Sequence, residues 1–166
     1  MTLPFAALGA LVAALVETSV LPELQIGGAK ADLVFVLAIV ATMLMGVEDG
    51  LVWAFLGGLM LDMLLPARPL GATTLALLLA AGITMVGTRV LGPGRFRAVV
   101  ATFVLTWLFH LLLLGLLAAT EGVALRTFEP RIVLLASILN AVVAVPAAVA
   151  FAAIDRRFGD AERPGW

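Results

Sequence analysis

Six stretches of this chain are too apolar to face water. They run roughly from Leu3 to Leu21, Ala31 to Gly46, Gly50 to Leu65, Leu70 to Val90, Ala98 to Ala119 and Ile132 to Ile154. A bilayer asks roughly 17–25 apolar residues of a crossing helix. Only 13% of the residues are charged, where a soluble domain carries about 25%, and the mean hydropathy is +1.18. Barrel strands would alternate polar and apolar residues, whereas these segments are apolar almost all round. The expected fold class is therefore all-α: a polytopic membrane protein of six transmembrane helices. Residues 1–154 form one domain and residues 155–166 a short polar cytoplasmic tail. The second and third stretches are short, and the acidic turn Val47-Glu48-Asp49-Gly50 joins them as a hairpin.

The remaining composition excludes more than it identifies. A net charge of −1 gives no hint of nucleic-acid binding. With no cysteine there is neither a disulfide nor a thiolate metal site, and no cofactor is expected. The first stretch ends in Leu-Pro-Glu instead of a small-residue cleavage site, so it reads as a retained helix. The sequence holds no HExxH, no G-x-S-x-G frame and no phosphate-binding loop, so no catalytic residue is assigned. Every loop is brief, the longest lying around Thr120 to Arg131. Arg89, Arg95, Arg97, Arg156, Arg157 and Arg163 gather on one side of a six-span topology, which makes both termini cytoplasmic.

An ionisable side chain inside a span is a functional candidate by default. Glu17, Asp32 and Asp62 qualify, and the topology places all three near the outer interface. They either cap helices or reach to headgroups, and Asp32 suits an N-cap. For Asp62 the expected partners are Arg68, Lys30 or Arg131. Gly50, Ala54, Gly57 and Gly58 give the third span a face on which another backbone can approach closely, with Asp62 continuing that stripe. Ala6, Ala10 and Ala14 form a second such face, for a contact inside the chain or with a partner. Deeper lie His110, about 18 Å from the cytoplasmic start of its span, and Asn140, about 12–14 Å from the outer start of its own. An interhelical hydrogen bond between them is expected, and Pro146 should kink the last span.

The run "ETSVLPELQIGGAKADLVFVLAIVATMLMGVEDGLVWAFLGGLMLDMLLPARPLG" resembles MreD, the rod shape-determining membrane protein family of bacteria. Ser19, Leu21 and Pro22 lie close to that family's first-helix ending, one residue out of register. Asp32 and Leu33 match a Pro-Asp-Leu start of the second helix, with Ala31 where proline is usual. Gly46 and Gly50 match a Gly-x-x-x-Gly hinge; Gly58, Leu59, Asp62, Pro69, Leu70 and Gly71 match a Gly-Leu-x-x-Asp segment followed by Pro-Leu-Gly. The likeness covers roughly residues 17 to 90.

That resemblance implies a non-enzymatic scaffold of the cell-elongation machinery in the bacterial inner membrane. The implied partners are a single-span, coiled-coil MreC-like protein, an MreB-like filament, a RodA-type glycosyltransferase and a class B penicillin-binding protein. A homodimer is left open. The family's fold is said to look like the substrate-binding subunit of energy-coupling-factor vitamin transporters. This supplies the alternative function, in which the Ala6, Ala10 and Ala14 stripe would dock a coupling protein. An elongation scaffold is preferred, because the spans hold no tyrosine and too few polar groups to line a vitamin pocket.

Overall fold

A helix that is apolar on every side has no water-facing solution and must be surrounded. The segment Leu33–Leu44 is such a helix, and the rest of the chain is wrapped around it. The computed structural model describes residues 3–65, 69–122 and 127–158. They form six α-helices: α1 (Leu3–Ser19), α2 (Leu33–Leu44), α3 (Val47–Leu64), α4 (Ala72–Leu91), α5 (Arg95–Glu121) and α6 (Pro130–Phe158). No strand occurs among the described residues. Helix α2 packs against all five others, and α1–α3, α3–α4, α4–α5 and α5–α6 pack as further pairs. Val34, Val36, Ile39 and Val40 are completely buried, and Phe35 stacks on Phe109 of α5 at 4.9 Å.

Among the described residues three helices are long and apolar enough to cross a membrane: Ala72–Val90, Arg95–Glu121 and Pro130–Ile154. The six stretches read from the sequence thus all form helices, but α1 and α2 are shorter. The 12 residues of α2 extend only about 18 Å. Helix α6 starts with proline, whose missing N–H would be unpaired there anyway, and continues through Pro146 to Phe158. It therefore takes in the first residues of the expected tail.

Two boundaries differ from expectation for physical reasons. The acidic turn is no turn: Glu48 and Asp49 occupy the first turn of α3, where the helix dipole favours carboxylates. The reversal is made at Gly46, whose φ of 120° is open to glycine and strained for other residues. The longest fully described connection is Val20–Asp32, not the α5–α6 loop. It holds a 3₁₀ turn, Leu21–Leu24, and a tight turn at Gly27-Gly28. Ile26 and Ala29 exchange both backbone hydrogen bonds, at 2.9 and 3.0 Å, around these two positive-φ glycines. This is the two-residue turn that demands glycine. It rests on α6, where an added Cβ at Gly27 would fall 2.9 Å from Leu135 Cδ1.

Small residues set the helix spacing. An added Cβ at Gly50 would fall 2.5 Å from Thr42 Cα of α2, and one at Gly58 would fall 2.6 Å from Thr74 Cα of α4. At Gly57 it would collide with the Val34 side chain, and Ala54 is wholly buried. So α3 uses one side to meet two helices at backbone distance. Ala6, Ala10 and Ala14 are covered by the chain itself, with 3%, 0% and 0% exposure. That stripe is therefore not open for docking a coupling protein.

Candidate functional site

Buried polar groups from different helices meet at two helix starts, each served by a carboxylate from another helix. The first four N–H groups of any α-helix lack an intrahelical acceptor. At the start of α4, Asp62 of α3 provides one. Its Oδ1 accepts from Thr73 N–H at 3.0 Å. Its Oδ2 accepts from Gly71 N–H and Thr74 N–H, both at 3.0 Å, and from the Thr74 hydroxyl at 2.7 Å. Asp62 is 2% exposed. Among the described residues it makes no ion pair, which corrects the expected pairing with Lys30 or Arg131. A carboxylate holding four donors beside a helix N-terminus has its charge already stabilised. Arg68 lies outside the described residues. Pro69 and Gly71 lead into α4, with the Pro69 carbonyl accepting from Ala72 N–H at 3.2 Å and Gly71 turning the chain at φ 94°.

The start of α2 is assembled from farther away. Glu17 Oε2 of α1 accepts from Val34 N–H at 2.8 Å. Lys30 balances it, with Nζ 3.5 Å from Glu17 Oε1 and 3.4 Å from the Glu17 carbonyl. Asp32 stands at the N-cap position, yet its side chain makes no cap bond to its own helix. It turns to α5 and α6 instead. Asn140 Oδ1 accepts from Asp32 N–H at 2.7 Å, while Asn140 Nδ2 donates to Asp32 Oδ2 at 3.1 Å. The Nδ2 group also donates to Thr106 Oγ1 at 3.1 Å. Since a backbone N–H only donates, the amide orientation of Asn140 follows from these contacts.

His110 joins the group without touching Asn140 directly, so the expected His110–Asn140 bond is replaced by a relay. Its Nδ1 lies 2.9 Å from the Thr106 carbonyl and its Nε2 3.7 Å from Asp32 Oδ2. Thr106 donates in turn to Thr102 O at 2.7 Å. Counting along α6, Asn140 lies about 15 Å in from Pro130. The Val20–Asp32 connection thus brings Asp32 against the Asn140 turn of α6, and Glu17 and Asn140 satisfy the backbone N–H groups of Val34 and Asp32 there.

Thr102, Thr106, Thr73 and Thr74 were not singled out from the sequence. The i, i+4, i+8 spacing of Thr102, Thr106 and His110 was an available signal, since it puts all three on one face of α5. Among the described residues two buried side-chain atoms, Trp53 Nε1 and Thr73 Oγ1, have no hydrogen-bond partner. A cleft of about 230 Å³ opens between α5 and α6, lined by His110, Leu113, Leu117, Phe128, Glu129 and Ile132 among others. Among the described residues no three His, Asp or Glu side chains are grouped to hold a metal ion. Asp62 and Glu17 accept helix-start N–H groups and so orient α4 and α2, whereas the Asp32 carboxylate is held by Asn140. Comparison with protein-family models, with curated proteins and with solved structures returns no match to this chain.

Proposed function

We propose that this protein is a non-enzymatic scaffold of the bacterial cell-elongation machinery, an MreD-like protein of the cytoplasmic membrane. In this reading all six helices are embedded, α2 as a short internal helix, and both termini are cytoplasmic. Its partner is a single-span coiled-coil protein of the MreC kind, working with an MreB-like filament, a RodA-type glycosyltransferase and a class B penicillin-binding protein. Homodimerisation is compatible with it.

One observation carries the reading. Three of the residues on which the resemblance rests join helices: Gly58 meets Thr74 at backbone distance, Asp62 holds the α4 start, and Gly71 turns into it. A motif spent on fixing helix ends suits a protein whose product is a shaped surface. Affinity purification of the tagged chain from its host membranes after mild crosslinking, read by mass spectrometry, tests the proposal. Recovery of a single-span coiled-coil protein with cell-wall synthases supports it. Recovery of two ATPase subunits with a coupling membrane protein rejects it in favour of a transporter subunit.

A further inference from the structure

The chain contains one histidine, and its two ring nitrogens face different groups. Nδ1 lies 2.9 Å from the Thr106 carbonyl. A carbonyl oxygen only accepts, so Nδ1 carries a hydrogen. In a neutral ring Nε2 would then present a bare lone pair, and Nε2 faces Asp32 Oδ2 at 3.7 Å. Two acceptors would oppose each other, one of them a carboxylate, with side chains only 25% and 13% exposed.

Charge balance leads to the same place. Glu17 is matched by Lys30 from the α1–α2 connection. Asn140 of α6 gives Asp32 a donor but no charge, and Thr106 of α5 is likewise neutral. Among the described residues His110 is the basic side chain within ion-pair distance of Asp32, and an unpaired charge inside protein is costly. His110 also borders the α5–α6 cleft, with a side chain 25% exposed, and Glu129 lines the same cleft.

We infer that Asp32 and His110 together form a proton-binding site, held as a carboxylate–imidazolium pair that exchanges its proton through the α5–α6 cleft. The proton ties the start of α2 to α5. When it leaves, Nε2 opposes the carboxylate, and Asn140 alone keeps Asp32 in place. This assignment does not depend on the proposed scaffold function.

Because His110 is the sole histidine, full-length protein labelled with ¹⁵N-histidine and placed in lipid bilayers gives one pair of ring-nitrogen signals by solid-state NMR. Both nitrogens are expected to be protonated. Asp32→Asn should convert the ring to the neutral form with hydrogen on Nδ1, and Glu129→Gln should leave it unchanged. A neutral ring in the unmodified protein overturns the inference. So does an imidazolium that survives Asp32→Asn or is lost in Glu129→Gln. Should Asp32→Asn fail to fold, the unmodified protein decides the matter: a dipolar contact between the Nε2 hydrogen and the Asp32 carboxylate carbon supports the site, and its absence removes it.

Discussion

The starts of α4 and α2 are built on one idea from different materials. In both, an acid on a preceding helix accepts the orphan N–H groups of the next. At α4 the acid and its donors are 9 to 12 residues apart in sequence, and every donor is fixed backbone or a threonine hydroxyl. At α2 the parts come from α1, the connection, α5 and α6, with Asp32 and Asn140 separated by 108 residues. Among the described residues the first joint contains no second ionisable group, whereas the second holds Glu17, Lys30, Asp32 and His110. A local joint can be a rigid hinge pin; a distributed one ties four elements together and is open to adjustment.

The largest expected effect comes from removing the local pin. Asp62→Ala leaves three N–H groups and a hydroxyl without their acceptor, and should cost about 3–5 kcal/mol. Reversible unfolding in mixed micelles, followed by circular dichroism, measures this. Asp62→Asn should recover part of the loss, since one oxygen still accepts. Full stability and full partner binding in that variant would remove the need for a charge.

Next comes Gly58→Ala, which pushes a methyl group against Thr74 backbone and should cost about 2–3 kcal/mol in the same assay. An unchanged stability would mean that α3 and α4 can separate freely, and the joint would not be rigid. Asn140→Leu attacks the distributed joint, leaving Asp32 N–H and Thr106 Oγ1 short of a partner. The expected loss is about 2 kcal/mol, with faster amide exchange at Asp32 and little change at Thr73. Lys30→Gln should matter least, about 1 kcal/mol, because Lys30 is itself partly exposed and an amide can still donate to the buried Glu17 carboxylate. A larger loss would place Lys30 among the core contacts of the α2 start.

The contrast also explains what could be read in advance. Helix number and the close-packing role of Gly50, Gly57 and Gly58 follow from local patterns, because apolar runs and small-residue spacing act within one helix. Asp62 was recognisable as facing a packed helix for the same reason. Its acceptor role was half visible, since Gly71, Thr73 and Thr74 follow it so closely. The α2 start was not legible. Counting rise along α5 and α6 brought His110 and Asn140 to similar depth, but nothing local revealed that Val20–Asp32 carries Asp32 down to them. Glu48 and Asp49 were misread because acids suit both a polar loop and a first helical turn, and only Gly46 decides between these.

The central claim is that each acid holds the N-terminus of the neighbouring helix. Residue-resolved amide hydrogen exchange on Asp62→Ala and Glu17→Ala in bilayers tests it most directly. The account predicts that Asp62→Ala accelerates exchange at Gly71, Thr73 and Thr74 while Val34 stays protected. Glu17→Ala should expose Val34 and spare the α4 start. Protection at those amides that survives both substitutions, or is lost equally at both helix starts in each, would contradict it.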